Sequence, residues 1–101
     1  MGAELQTELR HEGSARRLLV AGEIDLSNVD RFEREMAVGE DDGLMLVVDL
    51  DGVTYMDSAG VAALFARARR GSLRVVARPD SVVAPLLRIT RLADLAPIEP
   101  A

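Results

Sequence analysis

The sequence predicts an α/β fold, a mixed β-sheet with helices packed against it. Three observations carry this reading. Short apolar runs of strand length alternate with segments of helical period, the connections between them are brief, and the first two runs are separated by a tight turn alone. Strands alternating with helices demand parallel pairing through right-handed crossovers, whereas a directly connected N-terminal pair is antiparallel. The 101 residues suit one domain, predicted to span 1–101.

Leu5, Thr7 and Leu9 alternate with polar residues, Glu12-Gly13-Ser14 punctuates, and Leu18-Leu19-Val20-Ala21 follows as a second run, which together predict the antiparallel pair. Ser27 and Asp30 have capping-box spacing, and Val29, Phe32 and Met36 recur at helical spacing, so a first helix is expected to end near Gly39. After the turn Asp41-Asp42-Gly43, the unbroken run Leu44 to Val48 reads as a central strand covered on both faces. From Asp57 the period becomes helical again. Val61, Leu64, Phe65 and Ala68 share one face, Ala62, Ala63 and Ala66 leave another small and smooth, and the helix is expected to end around Arg70-Gly71.

Leu73, Val75 and Val76 predict a further strand. Asp80 or Ser81 is then expected to cap a third helix with Pro85 in its first turn, where a missing amide hydrogen is tolerated. Leu92 to Ile98 is expected to form a last edge strand. Tyr55, Met56 and Phe65 are expected in the core, and Thr54 in a structural role. His11, in the first hairpin and with neither cysteine nor a second histidine near, reads as a surface residue.

Composition narrows the function. The chain has no cysteine, which excludes disulfides, thiolate metal sites and thiol nucleophiles and fits a reducing compartment. Residues 1–10 lack the pattern of a signal peptide, and no apolar stretch is long enough to span a bilayer, so a cytoplasmic protein without membrane contact is expected. Formal net charge is -5 and every cation is arginine. An acidic balance disfavours nucleic acid, and the one dense basic run, Arg67, Arg69 and Arg70, reads as a solvated helix end.

The segment Val47 to Val61 admits two readings. Its front half, an apolar strand running into Asp49-Leu50-Asp51-Gly52-Val53, resembles the nucleophile motif of haloacid dehalogenase-like phosphohydrolases. That resemblance implies attack by Asp49, acid/base work by Asp51 and a magnesium ion. Such chemistry needs a cation on the transferring phosphoryl group, usually lysine, and a distant acidic pair; lysine is absent, and only Asp57, Asp80 and Asp94 follow as further aspartates.

The whole segment, an apolar strand followed by Met56-Asp57-Ser58-Ala59-Gly60-Val61 opening a helix, resembles the signature of STAS-domain proteins. Gly22-Glu23-Ile24-Asp25 and the run Val83 to Leu92 are similar to two further family patterns, so the resemblance covers most of the chain. It implies a single STAS-like domain and an anti-sigma factor antagonist, not an enzyme. The implied partners are an anti-sigma factor that is itself a serine kinase, which the antagonist binds to release a sigma factor, and a serine phosphatase. Ser58 is the implied phosphoacceptor whose modification ends binding; Asp25, Asp57, Ser58, Ala59, Gly60, Ala62 and Ala63 are the implied contact residues. No cofactor or metal is implied, and a monomer is expected. A STAS scaffold without the switch, such as an accessory subunit of a transporter ATPase, stands as the alternative. Asp57 and Ser58 are also both ordinary N-cap residues, and Asp25 an ordinary loop residue. Two departures from the family pattern concern geometry: the stretch from Ser58 to Leu73 is short, and Arg91 replaces a glycine suited to a left-handed helix end.

Overall fold

In the computed structural model, which describes residues 4–100, strands and helices alternate as β1 (Leu5–Glu12), β2 (Ala15–Ile24), α1 (Val29–Ala37), β3 (Met45–Met56), α2 (Ser58–Ala68), β4 (Leu73–Val76), α3 (Ala84–Thr90) and β5 (Ile98–Glu99). Short 3-10 turns at Glu40–Asp42 and Leu92–Asp94 fill two of the connections. The five strands lie in sequence order, β1 antiparallel to β2 and every later pair parallel. This is the predicted mixed sheet, in one α/β domain. Met1 to Ala3 and Ala101, included in the predicted range, lie outside the described residues.

Sequence periodicity sorts the two faces of the sheet. Leu18 and Val20 of β2, Leu46, Val48 and Leu50 of β3, and Leu73 and Val75 of β4 point to one side and are buried. They meet Val29, Phe32 and Met36 of α1 and Val61, Leu64 and Ala68 of α2 in one core, which Leu87 and Leu92 complete from the C-terminal segment. Each helix thus buries a stripe at three- and four-residue spacing, as an amphipathic helix on a sheet must.

The opposite face corrects the expectation that β3 is covered on both sides. Val47 is only half-buried; its register neighbours are Arg17 on β2 and Arg74 on β4, whose aliphatic stems can cover a strand residue while their charges stay wet. Charges on this face pair across strands. Arg17 Nη2 stands 2.5 Å from Asp49 Oδ2, Arg74 Nη1 3.3 Å from Glu99 Oε1, and Arg78 Nε 3.8 Å from Asp51 Oδ1.

Further boundaries moved. β3 runs on to Met56 instead of stopping at Val48, because register shifts between Leu19 and Ala21 and between Gly22 and Glu23 let β2 follow it through Asp49 to Gly52. Helix α1 has Asn28 at its N-cap without a side-chain cap; the expected Ser27–Asp30 box does not form, since Ser27 instead donates its amide (2.9 Å) and hydroxyl (2.5 Å) to Asp25 Oδ1. Helix α3 begins at Ala84, and Ser81 Oγ accepts from the Ala84 amide at 3.2 Å. The predicted last strand shrinks to Ile98–Glu99, because Leu92 folds as a 3-10 turn that buries its side chain. Arg91 takes the left-handed conformation itself, φ 61 and ψ 37.

Two glycines fix close approaches. Gly22 has φ +91, and a Cβ there would stand 2.2 Å from the carbonyl oxygen of Glu4, which extends the β1–β2 ladder by accepting a 2.8 Å bond from the Glu23 amide. Gly52 lies against Val20 and Ala21, where a Cβ would meet Ala21 Cβ at 2.8 Å.

Candidate functional site

The loops that leave β2 and β3 meet at one end of the sheet. The Asp57 amide donates to the Ile24 carbonyl at 3.2 Å, tying the β3–α2 junction to the loop that carries Asp25. That loop is braced from within: the Asp25 amide donates to Asn28 Oδ1 (3.0 Å), Asn28 Nδ2 donates to the Glu23 carbonyl (2.9 Å), and Asp25 Oδ1 receives both donors of Ser27. Asp25 is half-buried by this work.

Capping at α2 separates two residues the sequence left interchangeable. Asp57, extended at φ -100 and ψ -172, is the N-cap, and its Oδ1 accepts from the amides of Ala59 (2.9 Å) and Gly60 (3.3 Å). Ser58 is the first helical residue; it is exposed, and no side-chain hydrogen bond engages its hydroxyl among the described residues. A phosphate on that oxygen would add about -1.5 to -2 charge next to the Asp57 carboxylate. Two of the first-turn amides, those of Ala59 and Gly60, already serve Asp57.

The remaining expected contact residues divide by exposure. Ala62 is exposed and Ala59 half-buried, so both face outward at least in part. Gly60 and Ala63 do not: Gly60 is buried, and a Cβ on it would lie 2.6 Å from Met56 Cγ and 3.0 Å from Ile24 Cγ2, while Ala63 is buried at 5% exposure. Their small size serves packing of α2 on the sheet and on α1, so of the three alanines expected on one smooth face Ala62 and Ala66 are exposed and Ala63 is not.

Two apolar side chains that sequence reasoning did not place at the site stand out from it. Leu26, two residues beyond Ile24, is 79% exposed, and Tyr55, expected in the core, is 48% exposed at the end of β3. The register shift beside Gly22 turns Tyr55 outward; Met56 keeps its expected core place, and Phe65 is half-buried beneath Arg69, whose guanidinium lies 5.8 Å from the ring centre. A lone apolar loop residue such as Leu26 was the available signal. Thr54 donates to the Gly22 carbonyl at 3.2 Å, as its structural reading requires, and His11 is exposed on β1.

Asp49 and Asp51 lie far from this junction in strand terms, with Met56 still seven and five residues ahead. Asp49 is buried, ion-paired to Arg17, and its Oδ1 accepts from the Asp51 amide at 3.0 Å; Asp51 Oδ1 accepts from the Arg78 amide at 3.2 Å. Both carboxylates therefore tie strands together, so the phosphohydrolase-like spacing has a structural explanation. Among the described residues no group of three or more His, Asp and Glu side chains is arranged to hold a metal ion.

The basic run is not uniformly solvated either. Arg67 is buried at 6% exposure and donates Nη1 to the Gly71 carbonyl at 2.7 Å; burial lowers its pKa below the usual arginine range, with nearby Glu40 opposing the shift. Arg69 and Arg70 are exposed, and Arg70 pairs with Glu40.

Comparison with known proteins agrees with this architecture. No curated protein sequence matches the chain. Among solved structures, an anti-sigma factor antagonist from Mycobacterium paratuberculosis is similar at TM-score 0.86 and 25% identity, over 97% of this chain and 87% of that one. The anti-sigma factor antagonist SpoIIAA in its unphosphorylated form is similar at TM-score 0.72 and 15% identity, over 95% and 88%. The Bacillus cell fate determinant SpoIIAA in its phosphorylated form gives TM-score 0.67 and 16% identity, over 97% and 91%. Residues 6–101 match the model of the STAS domain, and the chain, with its sheet order and its strand-to-helix junction at Ser58, belongs to the STAS domain family.

Proposed function

We propose that this STAS domain is an anti-sigma factor antagonist that works by binding, with Ser58 as a phosphoacceptor that ends the binding when modified. The observation that carries the reading is the division of labour at the start of α2. Asp57 caps the helix, so the Ser58 hydroxyl is exposed and unneeded for the fold. A visiting kinase can reach it without unfolding anything. The likeness to antagonist structures, one of them of a phosphorylated form, supports the same reading.

The docking surface in this proposal comprises Asp25, Asp57, Ser58, Ala59 and Ala62, with Leu26 and Tyr55 as apolar anchors. Exposed aromatic and aliphatic residues beside small ones are the usual composition of an interface centre. Its partners are a serine-kinase anti-sigma factor and a serine phosphatase in the cytoplasm. No helix of the described residues is long and apolar enough to cross a membrane.

The test is incubation with the candidate kinase and ATP, read by intact-mass spectrometry and by titration calorimetry. One phosphate is expected on the wild type and none on Ser58→Ala, which keeps its affinity. Ser58→Asp is expected to bind at least about tenfold more weakly, a difference of roughly 1.4 kcal/mol. Tight complex formation indifferent to Ser58→Asp would instead identify a constitutive scaffold, such as an accessory subunit of a larger assembly.

A further inference from the structure

The sheet ends at β1, and its outer edge is open among the described residues. This strand is unusual for an exposed edge. It is eight residues long and pairs with β2 without interruption from Leu5↔Gly22 to Glu12↔Ala15, so it has no bulge, and it contains neither proline nor lysine. Its protection is charge instead: Glu8, Arg10 and Glu12 stand exposed along it, a device that repels a foreign strand but not one whose charges are complementary.

The hairpin fixes which backbone groups face outward. The Glu23 amide donates to the Glu4 carbonyl, so Glu4 bonds to β2, and with it, by alternation, Gln6, Glu8, Arg10 and Glu12. The amides and carbonyls of Leu5, Thr7, Leu9 and His11 point away from the sheet. One of these is already taken, since Arg31 Nη1 donates to the Leu5 carbonyl at 2.7 Å, which confirms the parity and closes the N-terminal end of the edge. The backbone groups of Thr7, Leu9 and His11 remain, with Arg31 Nη2 reaching only the Thr7 hydroxyl, at 3.2 Å.

We propose that β1 pairs antiparallel with β1 of a second copy about a two-fold axis at Leu9. In this register Leu9 bonds to the partner's Leu9, and Thr7 to the partner's His11. The flanking positions then place Glu8 opposite the partner's Arg10 and Arg10 opposite the partner's Glu8, at the closely spaced non-hydrogen-bonded sites where opposite charges stabilise a pair. Neighbouring registers fare worse: an axis at Glu8 or Arg10 sets like charges against each other, one at Thr7 needs the Leu5 carbonyl that Arg31 holds, and one at His11, though it sets Arg10 opposite Glu12, runs Leu9 onto Gly13 in the turn beyond the strand. Within one chain Arg10 Nε already lies 2.6 Å from Glu8 Oε2, lowering the Glu8 pKa, so two copies would close a ring of four alternating charges. Pairing also covers Leu9, 37% exposed in the single copy.

So few paired residues make an interface below about 1,200 Å², the range of transient complexes. The dimer therefore forms at high protein concentration and weakens with salt, which screens the exposed ring. It leaves Ser58 free, because that junction lies at the end of the sheet where Arg31 blocks the edge. The expectation of a monomer holds only for dilute protein.

Sedimentation equilibrium on the full chain tests this. Wild type should shift from monomer toward dimer as concentration approaches about 1 mM, while Glu8→Arg alone and Arg10→Glu alone stay monomeric. An equimolar mixture of those two variants should associate, as should the double variant Glu8→Arg/Arg10→Glu, because each restores opposite charges across the axis. The mixture also shows that the single variants are folded. Wild type that remains monomeric at that concentration, or single variants that self-associate as well as wild type, would overturn the proposal.

Discussion

Gly60 is where the candidate site and the core share one residue. It is two positions from the exposed Ser58 hydroxyl, yet a methyl group there would press on Met56 and Ile24. Gly60→Ala should destabilise the domain by about 1–3 kcal/mol, the usual range for overpacking a filled core, measured by urea unfolding. The assignment of the cap is open to an equally direct comparison. Asp57→Ala should lose about 1 kcal/mol, whereas Ser58→Ala should stay within about 0.5 kcal/mol of wild type; equal losses would show that both residues hold the helix. Sequence alone could not make this distinction, since either residue type caps well, and the choice depends on the extended backbone that the end of β3 imposes on Asp57. Leu26 and Tyr55 were illegible as site residues for a related reason: which way a side chain turns near a bulge depends on the neighbouring strand, not on its own segment.

At the scale of elements, α2 was readable because its two ends carry strong local signals, Asp57 before it and Gly71 after it. β3 was not. Asp49, Asp51 and Gly52 interrupt its apolar run and imitate a loop, while the partners that make them strand residues, Arg17 and the Arg78 amide, come from other parts of the chain. The start of α3 was set too early because Ser81 does accept from the Ala84 amide but from ahead of the first helical turn. Arg91 kept the glycine-like helix exit that its position demands, at the steric cost of a side chain in the left-handed region. Arg91→Gly should relieve most of that cost and raise stability by about 1 kcal/mol. Its exposed pair with Asp94 at 3.0 Å takes little away. Thermal unfolding at fixed pH provides the measurement.

Across the whole molecule, the sheet order and the single core followed from the alternation of apolar periods, but the open face did not. Its ion pairs join residues far apart in the chain, so no local pattern announces them. Asp49 is the most buried carboxylate of that network, and Asp49→Ala should destabilise by about 1–3 kcal/mol by leaving the Asp51 amide without its acceptor and Arg17 with only its 3.9 Å pair to Glu12, again read by urea unfolding. Asp49→Asn, which keeps an acceptor oxygen, should lose less. Gly22 sets a limit of a different kind. Losing the Ser58 hydroxyl leaves every contact of the fold in place, but exchanging one hydrogen of Gly22 for a methyl, where Glu4 extends the β1–β2 ladder, forces two paired backbones apart. The hairpin should thus be far less forgiving of a single added carbon than the helix start is of losing the group that receives the signal.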